Sequence, residues 1–589
     1  MSKLRDDSID FMKGIATIAV VFYHLGICTN GYLGVDIFLV INGHLIMDSV
    51  LCHEKDLREF SFTDFAIKRL VRLQPVLLAG CILAMFLGYF VMLPDDYQGL
   101  GETAVASVCE ANNILQAITT HNYWDAVQDF KPLMHTWYLG VVVQFYMVYG
   151  IYTKIICRFC KADRRVYLGG MIVLTAVSFI LYILPGDPAD RFYYLRYRFW
   201  EPGLGAVLAL CMEQREIRLV CNRAGKIAYG SAIVMMVLLF LPLCGLPKTG
   251  GLIFVVCCTF SFLFARNHCE KQKRIGAGGG YAFVCKAGIC SYSIYIWHQI
   301  IIAFYRYCID GNLGIAGCVL CTVLTVIGGT VSYVLIEKRL TSRLKSMSLI
   351  ALCISISGMI LGSGMYVYLK GGVMRNVPEL DVFISDVHRG MHSAYNDRVY
   401  AMDVEFSEDD RIKVLAVGNS FVRDWCNVLM ESDIAAELDI SYVYGSAINE
   451  EYACRIARAD YIFVNGSMVC EDKIPECIKE HMANGAEIWS VGTKCYGVSN
   501  GNIYNRRYRE EYLQMTASYA DISGQYQEEL RLCGERYVDF IKPVLQQDGR
   551  VRVFTDTGKF ISQDCRHLTE AGAQYYARIL DFDRIFRRE

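Results

Sequence analysis

The chain has 589 residues, 54% of them hydrophobic and only 20% charged, and its mean hydropathy is +0.29, which excludes an ordinary soluble globular protein of this size. The formal net charge of −2 supplies no global basic field, so no nucleic-acid partner is expected. Most of the 25 cysteines lie in apolar stretches, where a thiol is a small hydrophobe. Those of the polar C-terminal block form no CxxC pair and no ligand spacing, so neither a metal site nor a full disulfide framework is expected.

In chain order, apolar stretches long enough to cross a bilayer lie near 8–28, 33–52, 73–93, 135–157, 167–184, 198–212, 226–243, 251–266, 287–306, 314–336 and 348–369. The first has the apolar run of a signal peptide, but Lys13 and His24 interrupt it, no small-residue cleavage site follows, and another span comes at once. It is read as retained. With the N-terminus inside, alternate loops carry Lys55, Arg58, Lys68, Arg69 and Arg72, then Lys154, Arg158, Lys161, Arg164 and Arg165, then Arg215, Arg218, Arg223 and Lys226. Later inner loops hold Arg266, Lys271, Lys273 and Arg274, then Lys338, Arg339, Arg343 and Lys345. The opposite loops are poor in cations, as the positive-inside rule requires, with Arg191, Arg196 and Arg198 as the exception. Eleven spans would deliver residues 370–589 to the extracytoplasmic side of a cell membrane.

A titratable group at bilayer depth costs about 2.5–3.5 kcal/mol on insertion scales, so such groups point to function. His24 is the clearest, with Asp10 and Lys13 nearer the inner end of the same stretch. It is either a general base for an acyl acceptor or an interhelical contact.

The runs IDFMKGIATIAVVFYHLG, GYLGVDIFLVINGHLI, KRLVRLQP at 68–75, HTWYLGVVVQFY at 135–146, RFWEPGLGAVLA at 198–209 and SYSIYIWH at 291–298 together resemble the acyltransferase 3 family. Its members move acyl groups, commonly acetyl, onto extracytoplasmic carbohydrates. The resemblance covers residue 8 to about 340. It implies that His24 is the essential histidine and that Lys13 stands where Arg is usual, keeping the charge but losing the planar fork. It also implies that Arg69 and Arg72 lie near acyl-CoA, where guanidinium groups clamp phosphates; ordinary positive-inside anchoring is the alternative. Trp200 and Glu201 match the family's WE pair, and Tyr292, Ser293, Tyr295 and His298 match its SYSxYxWH run. Val142 and Val143 replace one or two glutamates, so any role of that carboxylate is absent or supplied elsewhere. His44 replaces an aromatic residue and is read as a helix contact.

Beyond the last stretch, residues 370–410 are polar and read as a tether or a packed connector. RIKVLAVGNSF then gives a β-branched run stopping at Gly-Asn-Ser, and DYIFVNGS at 460–467 and AEIWSVGT at 486–493 repeat the pattern. Such runs separated by helical stretches predict buried parallel strands in an open α/β sheet, with its site beyond the carboxyl ends of the strands. Ser420, at a strand-to-helix turn, is the expected nucleophile; His567 is its base, and Asp564, three residues earlier, orients the imidazole. This arrangement resembles the SGNH hydrolase and transferase superfamily, often appended to acyltransferase 3 proteins. Asn419 and Phe421 depart from the usual GDSx block. The resemblance implies oxyanion donors at Gly445 and Asn465.

The expected architecture is an N-terminal all-α polytopic membrane domain of about eleven transmembrane helices and a C-terminal α/β SGNH-like (flavodoxin-like) three-layer domain. Residues 1–340 form the ten-helix membrane domain, 341–410 the eleventh helix and extracytoplasmic linker, and 411–589 the α/β domain. The expected function is a bacterial membrane O-acyltransferase, acetyl in the first instance. Acyl-CoA is the donor substrate, no cofactor is permanently bound, and the acceptor is a surface polysaccharide or peptidoglycan. The competing readings are a membrane-anchored extracytoplasmic carbohydrate esterase and a glycan-binding module on a transporter-like domain.

Overall fold

The structure is a computed structural model that describes residues 7–53, 60–120, 128–159, 163–213, 221–241, 248–267, 279–385, 393–445, 447–470 and 472–586. Lys55, Arg58, Lys161, Arg215, Arg218, Lys271, Lys273 and Arg274 of the inner loops lie outside the described residues, as does the side chain of Arg223. Contacts divide the chain into two units, Met1–Phe90 with Leu100–Met365, and Val91–Gly99 with Tyr366–Glu589.

The described part of the first unit is helical. Among the described residues, seven helices are long and apolar enough to cross a membrane: Gly31–Leu51, Phe62–Val91, Met134–Phe159, Arg164–Ile183, Thr249–Arg266, Ile315–Arg343 and Ser346–Leu369. This is a multi-pass membrane protein. The stretches expected near 8–28, 198–212 and 226–243 are also helices, Asp7–His24, Trp200–Glu213 and Cys221–Phe240. The first is diluted by Asp7, Asp10 and Lys13, and the other two have apolar runs of only Trp200–Met212 and Lys226–Phe240.

One expected span needs correction. The stretch near 287–306 is not a single straight helix, because Gly279–Ile289 and Ser291–Cys308 meet at 79°. The bend lays Gly279–Ile289 against Asp7–His24, so closely that a Cβ on Gly288 would fall 1.7 Å from the Asp10 carbonyl oxygen. Helices Gly34–His53 and Trp200–Glu213 touch in the same way: a Cβ on Gly43 would lie 1.8 Å from the Pro202 carbonyl oxygen. Small residues thus let two backbones meet where lipid offers no hydrophobic drive. Helices Pro94–Val108 and Asn112–Thr120 follow the Phe62–Val91 helix, where no element was expected.

The second unit is built on a parallel sheet. The strands are β1 (Ile412–Gly418), β2 (Leu438–Tyr444), β3 (Tyr461–Asn465), β4 (Glu487–Val491), β5 (Thr516–Ala517), β6 (Tyr537–Val538) and β7 (Val551–Arg552). Five of them pair in the order β2-β1-β3-β4-β6, every pair parallel, while β5 and β7 form a small antiparallel ladder. The three expected strands are β1, β3 and β4. In β1 every residue after Ile412 is buried, which is why its sequence reads as a continuous apolar run. Trp425, Phe463, Trp489, Phe540 and Tyr576 fill the core.

The connector is packed rather than free. Val373, Val377, Leu380, Val382 and Val399 enter that core, and so does Leu93 from the Val91–Gly99 segment. Arg375 Nη2 donates to the Met92 carbonyl at 2.7 Å and Asn505 Nδ2 to the Val91 carbonyl at 3.1 Å.

Candidate functional site

In the first unit, the helix Asp7–His24 ends on its histidine, which the structure brings to His298 of helix Ser291–Cys308, with ring centroids 5.2 Å apart. A third imidazole, His135, stands 5.2 Å from His298. Nδ1 of His298 lies 2.5 Å from the Tyr295 carbonyl oxygen, which leaves its Nε2 for other work. That Nε2, Nδ1 of His24 and both ring nitrogens of His135 are buried and have no hydrogen-bond partner among the described residues. Buried polar atoms are normally satisfied, so such a cluster marks a place where chemistry happens. Arg306 Nη2 donates to the His24 carbonyl at 2.9 Å and pairs with Asp129, fixing the end of the helix.

His24 and His135 face a cavity of about 420 Å³. Asp36 and Arg198 line the same cavity, joined by a 2.8 Å ion pair in which each side chain is 2% exposed. Arg198 also reaches Glu201 at 3.3 Å. The exception to the loop-charge pattern is thereby explained for two of its members: Arg198 is a buried structural charge rather than a loop cation, and Arg196 bonds Asp190 at 3.0 Å. Of this trio, the sequence marks Glu201 as a site candidate and Arg198 only as a loop cation, and it does not mark Asp36.

Lys13, Arg69 and Arg72 converge on a second, smaller cavity of about 90 Å³ beside Tyr146 and Tyr292. The Arg69 guanidinium stacks 5.4 Å from the Phe65 ring centre and 5.9 Å from that of Tyr146, a desolvated but still cationic placement. Where Val142 and Val143 lack a carboxylate, a different one is close by. Glu110 lines a small recess with Arg69, Val143 and Tyr146, and accepts from Gln74 Nε2 at 2.6 Å. It sits between helices Pro94–Val108 and Asn112–Thr120 at φ 54°, the left-handed region that non-glycine residues seldom occupy. His44 is buried beside Gly205 of the Trp200–Glu213 helix, in the tight crossing described above.

In the second unit, β1 stops at Gly418 and Asn419 caps the next helix, its Oδ1 accepting the Phe421 N–H at 2.9 Å. Ser420 is thus the first residue of helix Ser420–Glu431. Its Oγ lies 2.8 Å from His567 Nε2, and His567 Nδ1 lies 2.6 Å from Asp564 Oδ2. Asp564 Oδ1 accepts the backbone N–H groups of Arg566 at 2.9 Å and His567 at 2.7 Å. Burial opposes charge on Asp564, but the His567 imidazole and these N–H groups hold its carboxyl below the usual range. The three residues form one line of hydrogen bonds.

The same turn of helix carries Asp424, which sequence reasoning missed. Burial again opposes its charge, yet Lys494 and Arg423 bring the carboxyl down to about 2. Gly445 follows β2 and Asn465 is the last residue of β3, the two strands on either side of β1. The Gly445 N–H already donates to the Gly418 carbonyl at 3.0 Å. Asn465 is 8% exposed, and its Oδ1 accepts the Ser467 N–H at 3.2 Å.

A sequence profile of the acyltransferase domain matches residues 6–336. Among curated proteins, the chain is similar to one named "Putative O-acetyltransferase" in Staphylococcus aureus strain COL, 25% identical over 349 residues, 56% of each chain. It is also similar to the peptidoglycan O-acetyltransferase OatA of Listeria monocytogenes, 26% identical over 308 residues, 50% of this chain and 49% of that one. A protein named "Putative membrane-bound transacylase BcsY" from Komagataeibacter xylinus is 26% identical over 342 residues, 57% of this chain and 83% of its own. The chain spans about half the length of the first two relatives. No solved structure matches it.

Proposed function

We propose that this chain, which belongs to the acyltransferase-domain family, is a membrane O-acetyltransferase that transfers an acyl group from cytoplasmic acyl-CoA to hydroxyls of an extracytoplasmic glycan. The Listeria relative acts on peptidoglycan by name, which makes a cell-wall glycan the first acceptor to test. The N-terminus is cytoplasmic and residues 370–589 are extracytoplasmic in this reading.

The donor enters where Lys13, Arg69 and Arg72 gather their charges, since phosphates are held by guanidinium and ammonium groups. His24, with His135 and His298 around it, serves as the base that takes the proton of a carrier hydroxyl as that oxygen attacks the thioester carbonyl, and returns it to the departing coenzyme A thiolate, leaving the acyl group as an ester on the carrier. The exported unit acts as an SGNH-like transferase. Ser420 gives its proton to His567 Nε2 as Oγ attacks the acyl carbonyl, and Asp564 stabilises the imidazolium that forms. The C–O bond to the carrier breaks, and the carrier leaves as its alcohol with that proton. A glycan hydroxyl then passes its own proton to His567 while its oxygen attacks the acyl-serine, and Ser420 is restored.

The observation that carries this reading is the continuous line Ser420–His567–Asp564. The experiment is mass spectrometry of ester-linked acetate on cell-wall and capsular sugars from cells bearing the parent chain or Ser420→Ala. Loss of acetate supports transfer. A gain in acetate identifies a carbohydrate esterase instead, and an unchanged level reduces the exported unit to a binding module.

A further inference from the structure

The two cavities of the first unit share one side chain. Lys13, Arg69 and Arg72 line the smaller, His24, His135 and Arg191 the larger, and among the described lining residues Tyr295 alone borders both. Its ring is packed between neighbours on the two sides, with centroids 5.2 Å from His135, 5.4 Å from Tyr138 and 5.4 Å from His298. A single hydrogen bond latches the hydroxyl, Tyr295 Oη donating to the His135 carbonyl at 2.6 Å. That acceptor belongs to the short 3₁₀ turn Met134–Thr136 that enters the helix Trp137–Phe159, and His298 Nδ1 in turn rests on the Tyr295 carbonyl. One residue therefore closes the wall between the cationic pocket and the imidazole cluster, and it is bonded to parts of that cluster through both its hydroxyl and its backbone.

We propose that Tyr295 is the partition between the two cavities and positions the donor for reaction. With the hydroxyl latched on His135 the cavities are separate; a χ1 rotation of the ring away from the latch joins them and lets the acyl-bearing arm of the donor reach His24. The phosphates stay with Lys13, Arg69 and Arg72, so only a slender chain has to pass. This rests on the donor reading given above, but its test does not need acyl transfer to occur.

The full-length chain is tested in native membrane vesicles with an anionic methanethiosulfonate, its products resolved peptide by peptide so that the native cysteines do not interfere. Val35 lines the larger cavity and is replaced by cysteine; Arg72→Cys identifies the vesicle face on which the smaller cavity opens. From that face, Val35→Cys is expected to stay unlabelled while Tyr295 is present and to be labelled at least tenfold faster with Tyr295→Ala. Tyr295→Phe keeps the ring and loses the latch, and gives an intermediate rate. Equal rates for parent, Tyr295→Ala and Tyr295→Phe overturn the proposal. Should Tyr295→Ala fail to fold, the Phe variant decides alone: an increase of threefold or more supports the partition and the parent rate overturns it. Loss of acetylation with correct labelling, or the reverse, separates the fate of this proposal from that of the proposed function.

Discussion

Lys494 Nζ lies 2.7 Å from Asp424 Oδ2, and both side chains are fully buried. The same oxygen accepts the N–H of Leu568 at 2.8 Å, the residue after His567, while Arg423 bonds Oδ1 at 2.9 Å. Asp424, kept charged by Lys494, thus ties the helix that carries Ser420 to the loop that carries its base through the Leu568 N–H. Removing one partner of a buried pair costs about 3–5 kcal/mol when it strands a charge, and less here, because Arg423 still pairs with Asp424. Lys494→Met is expected to lower the unfolding temperature of the full-length protein in detergent and to weaken transfer by displacing His567. Scanning fluorimetry and surface acetate measured on the same preparation check both effects.

The pH dependence of that stability follows from the sign of the shift. Folding depresses the Asp424 carboxyl to about 2, below the usual value of about 3.9, so its contribution is complete above about pH 4 and disappears as pH falls towards 2. The second unit should lose thermal stability over that window. Asp424→Asn should flatten the loss, and unfolding curves between pH 2 and 6 make the comparison.

Asp564→Asn keeps the shape of the Ser420–His567–Asp564 line but offers His567 Nδ1 an amide in place of a carboxylate. Turnover is expected to fall by about 10⁴-fold, as for other triads that lose this charge. Combining it with Ser420→Ala should add little, because the three residues act as one device. Steady-state assays with a soluble acyl ester and a saccharide acceptor measure both.

His135→Ala is expected to reduce surface acetylation by about 10²–10⁴-fold, the range that one acid–base group supplies, and to match His24→Ala. Both variants should retain normal labelling of Ser420 by a serine-directed phosphonate, because Ser420 and its base belong to the other unit. Loss of that labelling would mean that His135 serves folding instead.

Arg198→Leu is expected to cost about 3–5 kcal/mol by leaving Asp36 and Glu201 buried without their cation. Replacing all three with apolar residues of similar volume should recover most of that stability. Thermal unfolding of the detergent-solubilised variants checks the order.

What could be read from the sequence was what repeats locally. The apolar runs of β1, β3 and β4 announce buried strands because both faces of a parallel sheet are covered, and Ser420 and His567 stand out because each follows a recognisable turn. Lys13, Arg69 and Arg72 were likewise visible as charges near apolar helices. The relations that were not legible are those made by packing. Asp36 meets Arg198 across 162 positions, and Lys494 meets Asp424 from a stretch with no pattern of its own. His135 stands in HTWY beside an apolar helix, a usable signal, but only packing brings it to His298. The bend at Cys290 was hidden because apolar residues continue on both sides of it, and hydropathy records composition, not direction. Glu110 was invisible for a further reason: only the left-handed backbone between two unforeseen helices turns it towards Gln74.

The segment Val91–Gly99 bears on how the protein can be taken apart. A recombinant fragment begun just after the last apolar helix would lack Leu93 from its own interior and the two carbonyls that satisfy Arg375 and Asn505. Such a truncation would carry an open seam, prone to aggregate for reasons unrelated to catalysis. Supplying those nine residues as a grafted segment or an added peptide is the natural remedy for anyone preparing the second unit in soluble form.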